Sequence, residues 1–348
     1  MDIQSRSVRE KRQLSYIDDF PYKHPRVSIG KEIEPAVNVF TIKNALANLG
    51  IRKAFVCSKS EEPVSELSSS LAIKEISSRK KRIKRVGGHV LDLVTPGANL
   101  YSHWLLDLLP KVDAVKRAGF SWDDFDYVYV NYFNSRFKKE SFDKLGIPAS
   151  KVLDFPSSPK IFSCDKVTTV TSCRHSLYTP DWVDGFVNSV FLDKNKRRAL
   201  GEGKRRIYIS RSKGNTRRIL NEAQLLELII PYGFETLYCE DHSVSDVSRI
   251  MSEAELIIAP HGAGLANSVF CNSDIQLIEL FSSHISSEYY KLSKKRGVEY
   301  HCIQTHSPDG SYIDVSKLDY NDREVIHPMN LLLSRENLRE IQKLLERG

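Results

Sequence analysis

Apolar positions along this 348-residue chain fall into short runs with the spacing of strands and helices in alternation. In the first half, strand-like runs recur at Val37 to Phe40, Ala54 to Cys57, His89 to Val94, Tyr127 to Tyr132, Lys151 to Phe155 and Val167 to Thr171. Helical stretches lie between several of them, which predicts a layered α/β domain. The first thirty or so residues are polar with weak periodicity and read as an irregular lead-in. The charged segment Asp193 to Arg198, followed by Gly201-Glu202-Gly203-Lys204, has the composition of a linker and is expected to end the first domain, placed at residues 1–195.

Beyond the linker the alternation is cleaner. Arg206 to Ser210 reads as a strand, and Asn221 opens a helix with Gln224 at the reciprocal capping position, stopped by Pro231 and Gly233. Phe234 to Cys239 is the next strand, and Ser243 caps a helix whose apolar face is Val244, Val247, Ile250, Met251 and Ala254. Leu256 to Ala259 is a third strand, and a buried run carrying Glu279 is a fourth. This order predicts a parallel doubly wound sheet over residues 204–330, with ligands at the carboxyl ends of its strands. A last helix, capped by Ser334 and apolar at Leu338, Ile341, Leu344 and Leu345, occupies residues 331–348.

With 41% hydrophobic and 27% charged residues, the composition is that of a globular chain. No run approaches the roughly 18 to 20 apolar residues of a membrane span, and the N-terminus lacks the apolar core of a secretory signal. Retention in the cytoplasm is the expectation, with peripheral contact at the inner face of the membrane as an extension of it. Six cysteines without a Cys-x-x-Cys pair argue against structural zinc and against a disulfide framework. The net charge of +7 is concentrated in Arg79-Lys80-Lys81-Arg82-Ile83-Lys84-Arg85. That run is a solvated loop, a contact for an anionic membrane or glycan, or a nucleic-acid contact; the last is disfavoured because no aromatic-interleaved motif accompanies it.

Candidate chemistry concentrates in three places. In the stretch from Ala254 to Phe281, an apolar strand enters the turn Pro260-His261-Gly262-Ala263-Gly264, which is expected to open a helix. Glycines at such a junction let backbone approach a ligand closely, and the helix N-terminus suits a diphosphate, while Glu279 would accept hydrogen bonds from ribose hydroxyls. The same turn also serves plain α/β packing, and His261 reads equally as a turn residue or as a phosphate donor. Arg211 follows the strand ending at Ser210, with Lys213, Arg217 and Arg218 in the same loop; four cations there are an anion site or a solvated basic loop. In Asn99 to Pro110, helical spacing puts His103 and Asp107 on one face, as a base oriented by a carboxylate or as a surface hydrogen bond. Pro110 is expected to interrupt the helix there and re-aim the side chains before it.

The motifs His103-Trp104-x-x-Asp107-x-x-Pro110, then Ser210-Arg211 with Arg217-Arg218, then Pro260-His261-Gly262-Ala263-Gly264-Leu265-x-Asn267, in this order, resemble glycosyltransferase family 61 over about residues 90 to 285. The resemblance implies a GT-B-like α/β fold of two Rossmann-like doubly wound domains facing across a cleft, and an inverting, metal-independent enzyme with no cofactor. It implies a nucleotide-sugar donor, most plausibly a UDP-sugar, and a glycan acceptor bound by the first domain. Catalysis would fall to His103 and Asp107. Donor binding would fall to Arg211, Arg217, Arg218, His261, Gly262, Ala263, Gly264, Asn267 and Glu279. No membrane anchor or paired cysteines of the eukaryotic members are read here, so the chain resembles the bacterial or viral branch, where surface polysaccharide assembly is the usual setting. A nucleotide-sugar epimerase or hydrolase of the same architecture is one alternative. A non-catalytic protein binding anionic glycan or nucleic acid is another.

Overall fold

The computed structural model describes residues 3–15, 20, 31–49, 53–57, 63–78, 83–131, 133–154, 161–192, 205–283, 285–312, 314 and 329–347. The chain forms two units. One comprises Met1–Leu14, Ile33–His175 and Thr179–Val190, the other Ser15–Glu32, Ser176–Tyr178 and Phe191–Gly348. The linker sequence from Asp193 to Lys204 lies outside the described residues.

The strands in chain order are β1 (Ile3–Arg9), β2 (Arg12–Ser15), β3 (Lys31–Glu34), β4 (Val37–Leu49), β5 (Lys53–Cys57), β6 (Lys84–Arg85), β7 (His89–Asp92), β8 (Tyr127–Val130), β9 (Val152–Asp154) and β10 (Ile161–Val170). The first unit is built on an eight-stranded sheet ordered β1-β4-β10-β7-β8-β9, with β5 on β4 and β6 on β10, while β2 and β3 form a separate ribbon. Two expectations are corrected here. The polar beginning of the chain is not irregular: β1 pairs antiparallel with β4 from Ile3↔Ile42 to Arg9↔Val37. It is an edge strand whose first five residues are exposed, so backbone hydrogen bonds hold it and no apolar alternation marks it. Nor is the sheet uniformly parallel and doubly wound. Strands β10, β7, β8 and β9 run parallel, but the 13-residue β4 is antiparallel to β1, β5 and β10. Ile42, Phe55, Val90, Tyr129, Phe162 and Val167 form the core against it.

Of the basic run, Arg79 to Arg82 lie outside the described residues. Lys84 and Arg85 form β6, and the exposed Arg85 guanidinium bonds Asp165 at 2.5 Å.

The second unit holds a five-stranded, all-parallel sheet of β11 (Arg205–Ile209), β12 (Phe234–Leu237), β13 (Ala254–Pro260), β14 (Gln276–Phe281) and β15 (Glu299–Gln304), ordered β12-β11-β13-β14-β15. The order reverses between β11 and β13, the place where doubly wound sheets open a ligand site. Strands β13 and β14 are mostly apolar and buried along nearly their whole length because both their faces are covered. Ser243 caps the helix Val244–Ser252 by accepting from the Asp246 N–H at 3.0 Å, and Ser334 caps Arg335–Leu345 in a capping box with Asn337. The expected box at Asn221 does not form. Its side chain donates to Gln224 Oε1 at 2.7 Å and clamps both the N–H and the C=O of Leu333 instead. Among the described residues no helix is long and apolar enough to cross a membrane.

Candidate active site

In the second unit, the chain leaves β11 into Ser210-Arg211 and leaves β13 into His261-Gly262, so the two adjoining strands at the reversal each deliver one motif to the same end of the sheet. Gly262 lies against the Arg211 guanidinium: a Cβ there would stand 2.3 Å from Nη1. Arg211 Nε donates to Thr216 O at 3.3 Å, which closes the loop back on itself. Arg217 is held with φ at 58°, a left-handed conformation uncommon for a side chain of its size. Its buried Nε has no hydrogen-bond partner among the described residues. Neither guanidinium has a carboxylate within ion-pair distance among those residues. Burial lowers Arg211, and burial together with the charge of Arg211 brings Arg217 down to about 10. Two half-buried, mutually repelling cations are costly, and an anion bound to both relieves the cost.

The other predicted donor residues divide by what they touch. Lys213 bonds Asp241 and lies 4.7 Å from the Tyr238 ring centroid, so its charge is already answered at the surface. Arg218 is exposed, with its N–H held by Asn330 Oδ1 at 3.0 Å. His261 is buried, stacked on Phe281 at 5.1 Å, with Nδ1 2.5 Å from Glu279 Oε1. Glu279 is wholly buried, and Tyr300 donates to its Oε2 at 2.7 Å. Burial pushes the Glu279 carboxyl well above its ordinary range, while burial and the Arg217 charge hold the His261 ring down to about 3. Glu279 thus sits beneath His261, with one oxygen facing the ring and the other taken by Tyr300.

The glycine turn opens the expected helix, which is eight residues of 3-10 helix, Ala263–Phe270. Leu265 N–H bonds Gly262 O three residues back, and Asn267 Nδ2 takes the Gly264 carbonyl at 2.9 Å that an α-helix would give to Ser268. Asn267 is buried and acts on this turn; Ala263 is half-buried. Gly264 faces inward: a Cβ there would meet Ile209 Cγ2 at 3.2 Å and Cys239 Sγ at 3.7 Å. Its smallness serves close packing on β11, the role of a glycine that lets helix and strand approach.

In the first unit, Tyr101–His103 begins a helix that widens into a π turn over Trp104–Leu108, with Leu109 N–H bonded to Trp104 O at 3.0 Å. Pro110 has no N–H to give to Leu106 O and stands first in the helix Pro110–Arg117, which fits the interruption read from sequence. π turns are frequent at functional sites. Here the widened turn keeps His103 and Asp107 together, Nδ1 to Oδ2 at 2.7 Å. The buried Arg174 forks onto the same carboxylate, Nε to Oδ1 at 2.6 Å and Nη2 to Oδ2 at 3.0 Å, and donates from Nη1 to Thr179 at 2.9 Å. Burial alone would raise the Asp107 carboxyl, but the Arg174 charge and the hydrogen bonds from His103 and Arg174 override it and hold it at about 2. Gly97, with φ at +78°, packs on the ring, since a Cβ there would stand 2.7 Å from His103 Cδ2. Sequence reasoning missed Arg174 and Gly97. Arg174 lies 67 residues from its partner in an unremarkable loop, whereas the Pro96-Gly97 turn just before the helix was a usable signal.

A family model described as Glycosyltransferase 61 matches residues 101–278. Protein O-linked-mannose beta-1,4-N-acetylglucosaminyltransferase 2 from Xenopus laevis is 39% identical over 83 residues, and the protein of that name from Homo sapiens is 35% identical over 83. Each alignment spans 23% of this chain and 14% of the relative. The family match takes in half of the chain, from the His103–Asp107 turn through Arg174 and the Arg211 loop to the glycine turn after β13, and on that extent the chain belongs to glycosyltransferase family 61.

Proposed function

We propose that the protein is an inverting glycosyltransferase that moves a sugar from a nucleotide-sugar, by preference a UDP-sugar, to a hydroxyl of a glycan acceptor in surface-polysaccharide or related glycan assembly. The observation that carries the reading is the Arg211 and Arg217 pair, two cations without carboxylate partners among the described residues, at the strand-order reversal of a parallel sheet. A diphosphate supplies the charge they lack. The second unit is then the donor site, and the His103–Asp107–Arg174 cluster of the first unit is the base.

The reaction balances as a single displacement. His103 takes the proton of the acceptor hydroxyl, the oxygen's electron pair forms a bond to the anomeric carbon, and the bond from that carbon to the diphosphate breaks with its pair on the departing oxygen. With Nδ1 engaged by Asp107, Nε2 is the nitrogen that receives the proton, and the ionised Asp107 stabilises the imidazolium that results. Arg211 and Arg217 meet the charge that develops on the leaving group. Isothermal calorimetry with UDP, GDP, CMP and TDP tests the donor assignment. UDP is expected to bind, with Arg211→Ala weakening it about ten- to a hundredfold. Absence of binding by all four, or indifference to Arg211→Ala, overturns it.

A further inference from the structure

The first unit contains a recess that the proposed chemistry does not use. A cavity of about 590 Å³, in the size range of small-molecule sites, is lined by Arg9, Glu10, Arg12, Glu34, Asp181 and Trp182 among others. The Arg9 guanidinium lies 4.0 Å from the Trp182 ring centroid, and Asp113 holds its Nη2 at 3.0 Å. Its Nε is buried without a hydrogen-bond partner among the described residues. Guanidinium and indole are thus fixed as one stacked surface.

The chemistry around that surface selects a class of ligand. Two arginines and three carboxylates place donors and acceptors side by side, and a hydroxyl is the group that can satisfy both. The excess of carboxylates opposes a phosphate or other anion, and the indole offers an apolar face to ring C–H groups. Asp113 stands ten residues beyond His103 in the run Tyr101–Arg117, roughly 15 Å along at helical rise. We infer that this cavity is a subsite for neutral saccharide units of the acceptor, remote from the hydroxyl that reacts. It rests on the glycan-acceptor part of the function proposed above, and it makes the preferred acceptor an oligosaccharide.

Saturation-transfer NMR on the full chain tests it, with cellotetraose, chitotetraose, xylotetraose and mannotetraose as probes beside the corresponding monosaccharides. At least one tetrasaccharide is expected to bind more tightly than its monosaccharide. Trp182→Ala should weaken it about tenfold, and the exposed Asp181→Asn, which spares the stack, should weaken it too. UDP affinity should be the same in both variants. No binding by any tetrasaccharide, binding indifferent to both substitutions, or UDP binding that falls with Trp182→Ala overturns the subsite. If UDP binds normally and the tetrasaccharides ignore Trp182, only the subsite fails. If UDP does not bind, the glycosyl-transfer reading fails, while tetrasaccharide binding that depends on Trp182 still supports a saccharide site here.

Discussion

Gly262 and the Arg211 guanidinium occupy space that only a residue without a side chain leaves open, since a methyl group on Gly262 would come within 2.3 Å of Arg211 Nη1. The atom in the way is the end of a flexible side chain, so the fold can accept the methyl group by moving the arginine. Gly262→Ala is therefore expected to melt within a degree or two of the parent and to lose UDP affinity about tenfold or more. Calorimetry and a thermal melt on one preparation check this. Unchanged affinity would mean that Arg211 does not need its present position.

Arg217 offers a sharper contrast, because its effects on stability and on binding should have opposite signs. A half-buried cation facing another cation, with an unpartnered Nε, costs the empty protein stability. Arg217→Met removes that cost and keeps the apolar stem. The variant is expected to melt at or above the parent temperature without ligand, and to gain less from UDP than the parent does. A lower melting temperature with unaltered UDP affinity would assign Arg217 to structure alone.

The charge balance also bears on metal dependence. Under the proposed function, Arg211, Arg217 and the glycine turn would meet the diphosphate, and the leaving group would draw its counter-charge from the protein. Among the described residues no group of three His, Cys, Asp or Glu side chains is placed to hold a metal ion. Turnover is expected to persist in EDTA. Loss of turnover in EDTA with recovery on adding manganese or magnesium would overturn this prediction.

What the sequence discloses and what it hides follow from where each signal resides. The parallel sheet of the second unit was legible because β13 and β14 carry apolar runs, Leu256 to Ala259 and Leu277 to Ile278, and are followed by glycine or serine punctuation. β1 was not, since an edge strand held by backbone bonds shows no apolar alternation. His103 and Asp107 were legible as an i, i+4 pair, but the buried Arg174 that fixes the carboxylate joins them only through tertiary structure. For Glu279 the position along β14 was legible, while its depth and its contacts with His261 and Tyr300 were not. The packing of Gly264 was hidden in the same way, because a turn motif does not reveal that its last glycine faces Ile209.

The His103–Asp107–Arg174 cluster yields the prediction on the base. Arg174 holds the Asp107 carboxyl down at about 2, so under the proposed function the carboxylate would be a weak base and His103 would take the hydroxyl proton. His103→Ala should lower turnover about a hundred- to ten-thousandfold at saturating donor and acceptor, with UDP affinity unchanged. Asp107→Asn should be the less damaging to turnover and the more damaging to the fold, since it strands the buried Arg174 guanidinium. The pH dependence of stability gives a second readout. A carboxyl depressed from 3.8 to about 2 contributes roughly 2 kcal/mol that is fully present above pH 4 and is lost as pH falls toward 2. Parent and Asp107→Asn melting curves should therefore converge on acidification. If Asp107→Asn is instead the more damaging to turnover, and the melting difference does not shrink toward pH 2, the carboxylate takes the proton and His103 serves to position it.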